Sequence, residues 1–165
     1  MLSGLFIYPK EIVRLLYRSN VACILENARG QILLGERRDV AGCLQFPQGG
    51  VQNGEELENA LYREVEEEVL LPACYYYIHR SKGPYHYQFP TASRHSRGWI
   101  IGQRQHYFHV LLITEEVPLK MWDTSHEFRA LRWISPDEFQ LKWIPPMKWE
   151  VYTQVFWDFF KRTLS

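Results

Sequence analysis

Apolar and polar positions along the chain fall into segments of two kinds, one read as strand and one as helix. The run Asn20-Val21-Ala22-Cys23-Ile24-Leu25, apolar after its first residue, reads as a strand. A polar turn, Asn27-Ala28-Arg29-Gly30, leads into a second apolar run over 31–34, so the two read as a hairpin. Gly42, Gly49, Gly50 and Gly54 then surround the short segment Leu44-Gln45-Phe46-Pro47. From 55 to 71 neither Gly nor Pro occurs, and Leu57, Leu61, Val65 and Val69 recur every fourth residue. That spacing predicts an amphipathic helix stopped ahead of Pro72. Beyond it, 75–78 and 85–89 read as separate aromatic-rich strands, 106–113 as the most apolar strand and 130–134 as an alternating one. Ser135-Pro136-Asp137-Glu138-Phe139 predicts a short capped helix with Pro at its first position. A last helix follows Pro145-Pro146 and carries Val151, Val155, Phe156, Phe159 and Phe160. Strands, a helix, more strands and a closing helix give a mixed α/β or α+β fold.

Composition narrows the class. With 165 residues, 46% hydrophobic and 15% aromatic, the chain has material for one packed core and too much apolar content for disorder. Nineteen basic residues balance nineteen acidic ones, so no overall field draws it to DNA, RNA or an anionic membrane. No apolar run is long enough to span a bilayer, and the start over 1–9 lacks the basic region of a signal peptide. Cys23, Cys43 and Cys74 have no zinc-like or CxxC spacing and read as reduced thiols, which places the expected protein in the cytoplasm. His79, His86, His95, His106, His109 and His126 lack metal-ligand spacing; His109, inside an apolar strand, reads as a satisfied core residue. The tract Arg94-His95-Ser96-Arg97 reads as a solvated polar loop.

The chemistry concentrates on the first helix. At about 100° per residue, Glu64, Glu67 and Glu68 lie within about 100° of one another, beside the apolar stripe, while Glu66 points to solvent. Carboxylates at i, i+3 and i+4 repel unless something positive lies between them. Mg²⁺ is a natural partner, since it takes a few carboxylates and accepts phosphate oxygens, and the glycine-rich loop lets backbone approach it closely. A glutamate cluster alone is usually a solvated face; here the wider spacing decides otherwise. Gly49, Glu55, Arg63, Glu64, Val65, Glu67, Glu68 and Leu71 resemble the Nudix box, GX5EX7REUXEEXGU with U apolar. At average residue frequencies, chance alone would produce its six fixed matches in roughly one chain of this length in 10⁵. Leu70 stands where the box has its last glycine, a position that commonly turns left-handed; Pro72 is expected to stop the helix instead.

Further segments resemble one branch of that family, the bacterial RNA pyrophosphohydrolases and the diadenosine tetraphosphate hydrolases. Gln45-Phe46-Pro47-Gln48-Gly49-Gly50 is similar to their QFPQGG, and Tyr17-Arg18-Ser19-Asn20-Val21 to their YRPNV, with Ser19 for proline. The segments from Gly102 to Phe108, from Glu127 to Trp133 and from Met147 to Tyr152 resemble GQ(K/A)QKWF, EFxxWxW and FKxxVY. The resemblance runs over residues 17 to 160 and implies one Nudix domain over 1–165, with 1–16 as an N-terminal extension. It implies a mixed central sheet sandwiched between helices.

It also implies site roles. Glu64, Glu67 and Glu68, with Glu127 from a later loop and the Gly49 backbone, would bind Mg²⁺ or Mn²⁺. Arg63 would pair with Glu55 and tie the loop to the helix. Arg18, Arg37, Arg38 and Lys148 would meet the polyphosphate, with Gln48 and Gln105 as further substrate contacts. Tyr87 would stack on a base, with Met147 where the family has a facing phenylalanine; the alternative for Tyr87 is a core aromatic. Glu68 or Glu127 would be the general base. The activity implied is hydrolysis of nucleoside polyphosphates by a monomer acting on neither DNA nor a membrane. A 5′-triphosphorylated RNA end, cut to a monophosphate and pyrophosphate, comes first. Diadenosine tetraphosphate, split to ATP and AMP, is the alternative. A house-cleaning nucleoside triphosphate hydrolase and a catalytically silent nucleotide-binding module follow.

Overall fold

The computed structural model describes residues 17–90, 100–115, 117 and 127–164. The N-terminal extension over 1–16, the Arg94-His95-Ser96-Arg97 tract and His126 lie outside the described residues.

Among the described residues, seven strands and two α-helices follow in order: β1 Tyr17–Glu26, β2 Ile32–Arg37, β3 Leu44–Gln45, β4 Gln48–Gly50, α1 Leu57–Val69, β5 Tyr76–Gln88, β6 Gly102–Leu112, β7 Phe128–Ile134 and α2 Trp149–Phe160. The sheet order is β3-β2-β1-β6-β5, with β4 paired to β1 and β7 to β2. β1 runs parallel to β6, from Tyr17 opposite Gly102 to Glu26 opposite Leu111, and the other pairs are antiparallel. The expected mixed sheet is therefore present.

Strand alternation explains the two layers. Val21, Cys23 and Leu25 of β1, with Phe108 and Val110 of β6, pack against Ala60, Leu61, Val65 and Val69 of α1. Ala22 and Ile24, with Tyr107, turn to the other face and meet Tyr152, Val155, Phe156 and Phe159 of α2. Each buried Val, Leu, Ile or Phe among them is worth about 1.5–3 kcal/mol, which is what holds both helices to the sheet.

Three elements depart from the pattern-based expectation. The β1–β2 hairpin closes as predicted, with Gly30 at φ 72° and the Asn27 carboxamide oxygen accepting from the N–H groups of Arg29 and Gln31. The strands pair directly only at Glu26 and Ile32, however, because β1 goes on with β4 and β6 while β2 goes on with β7 and β3. The two aromatic strands expected over 75–78 and 85–89 are one strand, β5. Register shifts between Ile78 and Arg80 and between Lys82 and Tyr85 absorb the polar Gly-Pro stretch that reads as a break in sequence. Finally, α1 does not rely on Pro72 to end. Leu70 itself turns left-handed, at φ 57° and ψ 30°, and its N–H bonds to the Glu66 carbonyl. A leucine thus holds the backbone conformation usually given to glycine, at a cost of about 1–2 kcal/mol. Ser135 closes a capping box with Glu138 over a 3₁₀ turn, as expected.

Candidate active site

β4 lays the glycine-rich segment across the flank of α1. Gly49 has to lack a side chain, because a Cβ there would collide with the Glu64 carboxylate; at Gly50 it would collide with the Arg18 guanidinium. Arg63 joins loop to helix. Its Nε and Nη2 donate to the two Glu55 oxygens, each at 2.9 Å, and Nη2 also donates to the Gly50 carbonyl at 2.9 Å. Its Nη1 donates to Glu64 at 2.6 Å and reaches Glu67 at 3.4 Å. The expected Arg63–Glu55 pair is present, and one guanidinium fork serves five acceptor oxygens on four residues. It holds the Glu55 carboxyl below its ordinary range.

Glu68 sits differently. It is 4% exposed, its Oε2 accepts from the Gln48 backbone N–H at 2.8 Å, and its buried Oε1 has no hydrogen-bond partner among the described residues. Burial, and then the Glu127 carboxyl beside it, push its pKa up to about 10. Burial also raises Glu64, against the opposing pull of Arg63. Glu127 reaches this position because its carbonyl accepts from the Arg38 N–H at 3.0 Å, which ties the start of β7 to the end of β2. Glu66 is exposed, as its place on the helix predicts; Glu67 is exposed as well.

Among the described residues no three acidic or histidine side chains converge on one point: Arg63 occupies Glu64 and Glu67, while Glu68 and Glu127 face each other. The donor set nevertheless suits a hard divalent cation. All donors are oxygens, one buried carboxylate oxygen lacks a partner, and the Gly49 backbone lies directly against Glu64. A doubly charged ion between two crowded carboxyls would also reverse the rise of the Glu68 pKa.

The residues expected to meet substrate divide into two groups. Arg37, Arg38, Asp39 and Glu127 line a cleft of about 340 Å³, and Arg18 lies exposed over Gly50. Arg37 is committed to Asp39 through bonds of 2.7 and 2.5 Å. The second group is buried. Tyr87 is 5% exposed, its hydroxyl donates to Gln103 at 2.5 Å, and the Lys148 ammonium lies 5.3 Å over its ring. This placement agrees with the second of the two readings of Tyr87, a core aromatic, with Lys148 over its ring. Gln105 is fully buried and bonded on every side, so it too is not a surface contact. Lys148 is 2% exposed and reaches the side-chain oxygens of Gln45 at 3.3 Å and Gln48 at 3.4 Å, with its pKa lowered by burial to about 8. Met147 is partly buried against the α2 core. His109 is the satisfied core residue expected, its Nε2 2.7 Å from Glu26 and its Nδ1 accepting from Arg80. Sequence reasoning missed Asn20, Gln103 and Tyr107; the alternation of Gln103, Gln105 and Tyr107 on one strand face was the available signal.

The NUDIX domain model matches residues 16–155. The chain belongs to the Nudix family. It is 37% identical over 153 residues to the RNA pyrophosphohydrolase of Pseudomonas aeruginosa, covering 90% of this chain and 95% of that one. To the RNA pyrophosphohydrolase of Haemophilus influenzae it is 35% identical over 147 residues, covering 87% and 74%. In fold this Nudix chain is similar to the Escherichia coli dihydroneopterin triphosphate pyrophosphohydrolase, with a TM-score of 0.57, 19% identity and coverage of 74% and 84%. The Caenorhabditis elegans Ap4A hydrolase gives 0.55, 16% identity and coverage of 73% and 82%. This Nudix chain is an enzyme of the pyrophosphohydrolase class.

Proposed function

We propose that the enzyme converts 5′-triphosphorylated RNA ends to 5′-monophosphates, releasing pyrophosphate, with Mg²⁺ or Mn²⁺ as cofactor. One observation carries this reading: the relatives that match nearly their whole length, at 37% identity, bear the RNA pyrophosphohydrolase name, and this chain keeps every glutamate of the box. Glu64, Glu67, Glu68 and Glu127, with the Gly49 backbone, hold the metal. Bound there, a divalent ion supplies Lewis acidity toward the phosphate oxygens and makes water a better nucleophile near neutral pH. Glu68 or Glu127 takes the proton from the attacking water. Arg63, clamped on Glu55 and Gly50, keeps the loop at a fixed distance from the helix. Arg18, Arg37 and Arg38 surround the open side of the edge and bind the polyphosphate; the buried Lys148 ammonium adds positive charge behind Gln48. Met147 borders the base.

We further read the chain as a single-domain cytoplasmic monomer. Cys23, Cys43 and Cys74 are free thiols, and among the described residues no helix is long and apolar enough to cross a membrane.

Chromatography of products from triphosphorylated RNA, diadenosine tetraphosphate and nucleoside triphosphates tests the substrate. Monophosphorylated RNA and pyrophosphate should form fastest, and excess chelator should abolish the reaction. Faster release of ATP and AMP from diadenosine tetraphosphate would overturn the RNA assignment.

A further inference from the structure

Behind the carboxylate edge runs a line of buried amides. The Gln105 Nε2 donates to Asn20 Oδ1 at 2.7 Å and to Gln48 Oε1 at 2.9 Å, and its Oε1 accepts from the Tyr107 hydroxyl at 3.0 Å. A primary amide has two N–H donors and one carbonyl oxygen. All of them are engaged within the protein, so Gln105 offers no donor to a phosphate. Asn20 is 3% exposed, and Gln105 and Tyr107 are fully buried. Register explains the meeting: Asn20 of β1 lies opposite Gln105 of the parallel β6 and opposite Gly50 of β4. The Gln48 side chain is thereby held from two directions, since its Oε1 also lies 3.4 Å from the Lys148 ammonium. Its backbone N–H is the group that anchors Glu68 Oε2.

We propose that Gln105 is a positioning residue for Glu68. Gripped by Asn20 and Tyr107, it pins Gln48, and Gln48 fixes one Glu68 oxygen so that the other is presented to the acidic edge and its metal. The inference rests on the metal-dependent reading above. Groups that orient a metal ligand without touching the ion typically influence affinity or activity by about 10–100-fold.

Manganese titration of the substrate-free protein, followed by electron paramagnetic resonance, tests this without any assumption about substrate. Gln105→Leu should weaken Mn²⁺ binding about tenfold and lower kcat by a similar factor, with KM for the polyphosphate unchanged. Asn20→Ala, which keeps Gln105 and removes one of its anchors, should do the same to a smaller degree and guards against a Gln105 variant that fails to fold. Mn²⁺ affinity unchanged in both variants, or a raised KM with normal kcat, would overturn the inference and return Gln105 to the substrate. If the unsubstituted protein binds no Mn²⁺, the metal-dependent reading fails and takes the inference with it.

Discussion

The two faces of the sheet solve opposite problems. On the α2 face, Phe46, Phe139, Tyr152 and Phe156 pack on one another at 4.5–6.1 Å between ring centroids, and the Tyr152 hydroxyl accepts from the Phe46 N–H. On the flank of α1, Arg63 is bonded to Glu64 and reaches Glu67, while the buried Glu68 faces Glu127 with no cation bonded to it among the described residues. The first region stabilises the fold; the second is tolerable only because the rest of the fold holds it. The aromatic cluster and the carboxylate flank therefore lie on opposite faces of one sheet, and substitutions should tell them apart.

The largest effect should come from the aromatic face. Phe156→Ala should cost about 3–5 kcal/mol in urea unfolding, because the ring is fully buried, while turnover per folded molecule stays unchanged. A large loss of kcat in the folded variant would break the division of labour.

Glu68→Gln should show the reverse. Turnover should fall about 10²-fold or more, roughly 2.7 kcal/mol of transition-state stabilisation, whereas Glu66→Gln should leave it alone. Stability should change the other way. Burial, and then the Glu127 carboxyl, push Glu68 up to about 10 in the folded, metal-free protein, far above the ordinary carboxylate range of about 4 that it has when unfolded. Between those values the folded state keeps a proton that the unfolded state has released, so this group makes stability fall as pH rises. Calorimetry in chelator should show Glu68→Gln gaining Tm over the parent at pH 8.5 and losing that gain toward pH 5. A constant difference across pH would show that Glu68 is not the strained group.

The smallest effect belongs to the end of α1. Leu70→Gly should raise unfolding free energy by about 1 kcal/mol, since glycine takes the left-handed conformation without strain. Turnover should not move, because Leu70 is 41% exposed and its backbone already holds the turn. A gain in kcat would mean that leucine displaces Glu67 and Glu68.

What could be read from sequence was local. The period of Leu57, Leu61, Val65 and Val69 gave α1, and the same period placed Glu64, Glu67 and Glu68 together and Glu66 apart. The Arg63–Glu55 pair came from the resemblance, and the structure holds it at 2.9 Å. Residues whose burial depends on distant strands could not be placed: Tyr87 was left between a base contact and a core aromatic, and Gln105 was read as a substrate contact. Tyr87 and Gln105 lie in the same kind of alternating strand as any half-exposed pair, and only the packing of α2 and β4 decides that both are buried. The strands expected over 75–78 and 85–89 left 79–84 between them because a bulge has no signature apart from its neighbour's register. Glu127 entered by resemblance, not by spacing.

The parallel pairing of β1 with β6 also sets when the enzyme becomes an enzyme. Asn20 and Gln105 are 85 residues apart, whereas Gln48 and Glu68 are 20 apart. On a ribosome the glycine loop and the catalytic helix emerge together and can meet early, but the strand that locks Gln48 is made long after both. Non-local pairing of this kind is slow to form. A nascent chain arrested before β6 therefore carries the whole Nudix box and cannot yet set its most buried glutamate, so competence arrives as one late event in folding.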